Sequence, residues 1–156
     1  MRIGLKFFVA AAVALLAAGC GGSNKGGDSE EDYDGWVLVQ WNGDTALAGM
    51  VYLQLGGDGT FVLYQSINTF GYTRHTGTYS IGGESGAEQV ISGTYASGTP
   101  WDSCYVIEKY TKKELRIRAR KDGIVSVYSG VVVPAYVKDG VTGGEVRSAV
   151  WGKPFL

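Results

Sequence analysis

One histidine and two cysteines set the limits of the chemistry open to this chain of 156 residues. His75 stands alone, so a multi-histidine metal site has no ligands to draw on, and a Ser-His-Asp triad is a poor fit. Cys20 closes an apolar N-terminal run, whereas Cys104 lies among strand-forming residues and reads as a buried small apolar side chain. There is no Cys-x-x-Cys pair and no phosphate-cradling glycine loop, and Gly83-Glu84-Ser85-Gly86-Ala87 lacks the last glycine of a nucleophile elbow. Glu30-x-Asp32-x-Asp34-Gly35 imitates the start of a calcium loop. Its twelfth position is Trp41, however, where such a loop needs a bidentate glutamate. The expectation is a non-enzymatic protein with no catalytic set, no metal and no cofactor.

Recognition chemistry remains. His75 can act as a polar handle that orients a ligand in a mainly apolar pocket, or as a structural residue at a rim. Tyr64, Tyr72, Tyr79, Tyr95, Trp101 and Tyr105 can stack on a sugar or a lipid, and can equally be core or strand-pair residues. The candidate ligand contacts are His75, Tyr79, Tyr95, Trp101 and Tyr105. Arg116, Arg118 and Arg120 form a row that reads as a solvated face or as a docking face for an anionic partner. The formal net charge is −1 and no basic block occurs, so nucleic acid is not expected as a partner.

The elements that must position these residues are β-strands. Short runs rich in Val, Ile, Tyr, Phe, Trp and Thr recur between glycine-bearing turns from Gly35 onward. Strands are expected near 35–41, 49–55, 60–66, 70–81, 89–96, 103–109, 114–120 and 124–133. Asp58-Gly59 and Asp122-Gly123 mark hairpin turns, since both residue types tolerate positive φ. Alternation places Leu115, Ile117 and Ala119 on one face and the arginine row on the other, and it separates Val51, Leu53 and Leu55 from Met50, Tyr52 and Gln54. Trp36 and Leu38 oppose Val37, Val39 and Trp41, with both faces apolar. Thr73, His75, Gly77, Tyr79 and Ile81 share a face, which points His75 inward near one end. Eight strands in hairpin order favour a closed up-and-down barrel. Pro134 is expected to end the last strand, and 135–156 to form a closing strand or tail.

Ahead of the strands lies a leader. Arg2 and Lys6 precede an uninterrupted apolar run from Phe7 to Ala18, and small residues then lead to Cys20. Twelve helical residues span roughly 18 Å, short of the ~30 Å hydrocarbon core, so the run does not cross a membrane. Leu16-Ala17-Ala18-Gly19-Cys20 resembles the lipobox of bacterial lipoproteins, with Ala17 where that pattern usually has Leu. The resemblance implies a diacylglycerol thioether on Cys20, which becomes an acylated mature N-terminus. Gly21 to Asp34 is rich in glycine and acid and reads as a flexible tether. Asp28, Glu30, Glu31 and Asp32 resemble the acidic export signals of surface lipoproteins in Bacteroides-type bacteria, or serve as a solvated spacer.

Several short pieces carry a second resemblance. They are the tryptophan-led first strand with Trp41-Asn42-Gly43, then Asp58-Gly59-Thr60-Phe61, Gly77-Thr78-Tyr79, Ile91-Ser92-Gly93-Thr94-Tyr95, Ser97-Gly98-Thr99-Pro100-Trp101 and Tyr105. In order and spacing they resemble the lipocalin-like lipoproteins of Bacteroides-type bacteria. That resemblance implies an all-β, single eight-stranded antiparallel up-and-down barrel able to hold a small apolar molecule, with Trp36 closing one end. It also implies an arginine stacked on that tryptophan, with Arg118 and Arg147 both possible. The resulting organisation is a signal peptide over 1–19, a lipidated cysteine and acidic tether over 20–34, and a barrel over 35–156. The expected function is binding or carriage of a small hydrophobic ligand by a protein anchored at the bacterial cell envelope, with the outer membrane as its expected site, on the periplasmic face or at the cell surface. The alternative is an interaction module with a filled barrel that binds a glycan or an envelope protein.

Overall fold

The computed structural model describes residues 32–83, 87–140 and 153–156. The leader, Cys20, the acidic run before Asp32, the centre of the Gly83–Ala87 motif and Arg147 lie outside the described residues. Eight antiparallel strands follow one another around a closed barrel: β1 (Gly35–Trp41), β2 (Val51–Leu55), β3 (Thr60–Gln65), β4 (Thr73–Gly82), β5 (Val90–Tyr95), β6 (Tyr105–Tyr110), β7 (Glu114–Ala119) and β8 (Val125–Val131). β1 pairs with β8 as well as β2, so every strand has two neighbours and no sheet edge is left open. All of this pairing lies within 35–131, and the barrel is complete without the leader.

The turns form where their chemistry requires. The Asp58 carboxylate accepts the Thr60 amide at 3.0 Å and the Asp122 carboxylate the Ile124 amide at 3.0 Å, while Gly59 and Gly123 take φ of 80° and 76°. The expected ends shift by a few residues. β4 begins at Thr73, not near 70, because Asn68 at φ 60° sits in the connection before it. β8 ends at Val131, ahead of Pro134.

Alternation sets the core. Leu38, Val51, Leu53, Phe61, Leu63, Ile91, Leu115, Ile117 and Tyr128 fill the interior. Two bulges reset the count. The register shifts between Leu38 and Gln40, so Trp41 pairs with the buried Ser126 and turns to the inner side, away from Val37 and Val39. A second shift between Ile107 and Lys109 brings Tyr110 opposite the inward Leu115. The outer face is also partly covered, which alternation alone does not foresee. After β8 the chain forms α1 (Ala135–Asp139), a single turn that opens the 135–156 segment expected as a closing strand or tail. Its Val137 packs with Val133 against Tyr52 and Tyr64, whose side chains lie outside the barrel. Asp34 fastens this cover: its carboxylate accepts the Val133 amide and pairs with Lys138, each at 2.7 Å. Burial pulls Asp34 upward, but these partners outweigh it and hold the carboxyl below its usual range.

Candidate functional site

The antiparallel order gives the barrel two different ends. The β2–β3, β4–β5 and β6–β7 connections close the lower one; the β1–β2, β3–β4, β5–β6 and β7–β8 loops surround the upper one. At the lower end Trp36 donates its indole N–H to the Thr111 carbonyl at 2.9 Å and packs on Tyr110, with ring centroids 5.6 Å apart. Tyr79 lies in the same region and donates to the Gly56 carbonyl at 2.9 Å. Among the described residues the stacking partner of Trp36 is Tyr110. Arg118 is on the outer face, paired with Glu108 at 2.8 Å and Glu88 at 3.6 Å. Outside this end, a cleft of about 490 Å³ is lined by Tyr33, Asp34, Trp36, Leu55, Tyr110 and Lys112.

The upper interior gathers the other predicted contacts. His75 faces the Tyr95 ring at 6.0 Å, Phe61 lies 5.5 Å from Tyr95 and 5.1 Å from Trp101, and Trp101 packs on Tyr105 at 6.1 Å. Trp101 belongs to the loop after β5 and folds back over that strand, its amide bonded to the Gly93 carbonyl at 2.9 Å. Only glycine fits beneath it, since a methyl group on Gly93 would stand 2.7 Å from indole Cζ2. Tyr79 pairs across the ladder with Gly93 and packs on the same core, but its hydroxyl turns to Gly56 at the lower end. Cys104, near this loop, is half-buried and not in the core.

Alternation names three further residues of this region: Gln65 follows Phe61 and Leu63, Thr73 precedes His75, and Tyr128 follows Ser126 on inward positions. Tyr128 is fully buried, and its hydroxyl and the indole N–H of Trp101 have no hydrogen-bond partner among the described residues. Ser126 adjoins the Tyr128 hydroxyl, but no bond of good geometry joins them. Burial raises the pKa of Tyr95 and Tyr128 and pushes Tyr105, also facing Asp102 and Asp122, up to about 12. All three tyrosines stay protonated at neutral pH, and their hydroxyls remain available as donors.

The occupant of the mouth carried no sequence signal. Residues 153–156 cross the upper end and place Leu156, 1% exposed, in the core. Phe155 meets the Trp41 ring at 6.3 Å, and Lys153 pairs with Asp102. The Gln65 side chain accepts the Phe155 amide at 2.8 Å and donates to the Lys153 carbonyl at 3.4 Å, and Tyr95 donates to the Leu156 oxygen at 2.7 Å.

A crystal structure of a lipocalin-like protein from Bacteroides uniformis ATCC 8492, at 1.79 Å resolution, matches this architecture with a TM-score of 0.51 and 17% identity, over 65% of this chain and 99% of that one. The fold is lipocalin-like. No protein-family model and no curated protein matches the sequence. In this lipocalin-like barrel Trp36 closes the floor, and the aromatic and hydroxyl groups lie toward the mouth.

His75 supplies a pH-dependent test of that placement. Burial holds its pKa below the usual 6.5, and its ring nitrogen lies 3.3 Å from the Thr73 hydroxyl. The unfolded chain therefore takes up the proton first as the pH falls. The neutral ring's contribution to stability is complete above 6.5 and is lost as the pH drops from there to the lower folded value. Thermal melts between about pH 7.5 and about pH 5.5 are expected to show Tm falling for the parent and falling less for His75→Gln. Parallel profiles would mean that His75 is solvated in the folded protein. The paired carboxylates of Asp34, Asp102 and Glu114, held low by their lysine partners against the upward pull of burial, titrate below this window.

Proposed function

We propose that this protein is a membrane-anchored, non-enzymatic lipocalin-like lipoprotein that binds or carries a small, mainly apolar ligand at the bacterial cell envelope. The lipobox-like sequence ending at Cys20 supports the anchor, and acyl chains on that cysteine would hold the barrel at the membrane. One observation carries the ligand-binding reading: two buried donors, the Tyr128 hydroxyl and the Trp101 indole N–H, stand in the interior without partners among the described residues. A buried donor left unpaired costs about 1–3 kcal/mol, which an acceptor on a bound molecule would recover. Apolar side chains around them favour a ligand whose body is hydrocarbon, at about 25 cal/mol for each Å² it buries.

A filled interaction module, presenting its outer surface to a glycan or envelope protein, is the second reading. The observation in its favour is that Leu156 occupies the core. The two separate on native mass spectrometry of residues 21–156 purified from the original host, followed by organic extraction. The expected result is a stoichiometric apolar small molecule. A clean apo mass, with no uptake of fatty acids or hydrophobic dyes, would overturn the carrier reading in favour of the module.

A further inference from the structure

The polar contacts of the 153–156 segment are those of a bound peptide. Gln65 brackets Pro154, accepting the Phe155 N–H of one peptide unit and donating to the Lys153 carbonyl of the unit before it, while Tyr95 donates to the Leu156 oxygen. Gln65 is 3% exposed, so its amide is committed to this interaction and not to solvent. Phe155 and Leu156 supply the apolar part, one against Trp41 at the rim and the other within the core. These three hydrogen bonds end on side chains, so releasing the segment leaves the backbone ladder of the barrel intact. Below it, the unpartnered Tyr128 hydroxyl shares the interior with the Tyr95 and Tyr105 hydroxyls.

We propose that residues 153–156 are a tethered occupant of the ligand site, and that the molecule displacing them is an apolar compound carrying a secondary amide, held by Gln65 and Tyr95. This rests on the ligand-binding reading above and adds to it the chemical class of the ligand and a built-in competitor. Peptides and N-acyl amino acids share the secondary-amide N–H that Gln65 accepts, and a peptide adds the preceding carbonyl to which Gln65 donates. An apolar chain longer than the Phe155-Leu156 pair would reach further into the interior, where an acceptor could meet Tyr128 and Trp101. Because the competitor is attached to the barrel, it acts at a high effective concentration and weakens any free ligand in the intact chain.

The test compares residues 21–156, which contain the whole barrel, with the same protein lacking 153–156. Binding is measured by calorimetry for acetyl-Lys-Pro-Phe-Leu, N-dodecanoyl-leucine and dodecanoic acid. Removing the segment is expected to tighten the two amide probes by about tenfold, with dodecanoic acid about tenfold weaker than N-dodecanoyl-leucine. Gln65→Leu in the shortened protein is expected to erase that difference. Tight binding of the tetrapeptide alone identifies a peptide ligand, and tight binding of the acylated leucine alone an N-acyl amino acid. Equal affinities with and without the segment would overturn the competitor and leave the carrier reading standing. Equal affinity for the fatty acid would overturn the amide class. If no probe binds either protein while host-purified protein holds an extractable ligand, this inference fails alone; if neither holds anything, the carrier reading fails with it. Should the deletion not give a cooperative melt, the full-length change Phe155→Ser with Leu156→Ser, which keeps the backbone, replaces it under the same criteria.

Discussion

Replacing Phe61 with alanine is expected to lower the unfolding free energy by about 3–5 kcal/mol. Phe61 is 1% exposed and, close to the β2–β3 turn, is the ring against which both Tyr95 and Trp101 pack edge-on. Its loss removes the apolar area of one phenyl group and leaves a void that neither neighbour can fill cheaply. Tyr95 is held by its hydroxyl bond to Leu156, and Trp101 by its amide bond to Gly93. Urea denaturation of parent and variant measures the difference. A loss below about 1 kcal/mol would mean that the interior collapses around the gap and is less rigidly packed than described.

The second large effect is expected at Gly77, directly across the ladder from Phe61. A methyl carbon on Gly77 would overlap the Thr94 carbonyl oxygen and stand 2.8 Å from the Tyr95 Cα and 2.7 Å from Phe61 Cε1. Two of these three contacts are with β5 backbone, which cannot rotate aside as a side chain can. Gly77→Ala is therefore expected to cost about 3 kcal/mol, the upper end of the range for overpacking. The same substitution in the Phe61→Ala background separates the causes. A penalty that persists assigns the strain to the close approach of β4 and β5, whereas a penalty that vanishes assigns it to the ring.

Much of this architecture was legible in the sequence because β structure writes itself locally. Leu115, Ile117 and Ala119 alternate with three arginines, and the two faces of β7 follow directly. The inward direction of His75 follows in the same way from Thr73 through Ile81. Legibility ended where the period broke or the contact was remote. The bulges after Leu38 and Ile107 each add a residue, and a pattern of period two carries no mark of where that occurs. Trp41 and Tyr110 were therefore assignable only from pairing. Tyr52 and Tyr64 alternate as outward residues and yet are buried, because a helix of five residues, too short to show a 3.6-residue period, covers them. The contacts of Phe155 and Leu156 with Gln65 and Tyr95 join positions 90 and 61 residues apart. Side-chain contacts over such separations leave no local pattern.

The β5–β6 seam gives the barrel a preferred order of failure. Two residue pairs, Val90 with Val106 and Ile91 with Tyr105, join these strands, as few as join β1 to β2, and here the upper half of β5 bonds instead to Thr99 and Trp101 of its own connecting loop. A cylinder yields first along its least stitched line, and local openings of a fold draw on its least bonded regions. Thermal breathing would thus part the wall beside Trp101 while the long ladders of β2–β3, β3–β4 and β4–β5 hold. The barrel would then behave less as a cup filled only from its rim than as a sleeve with a slit along one side.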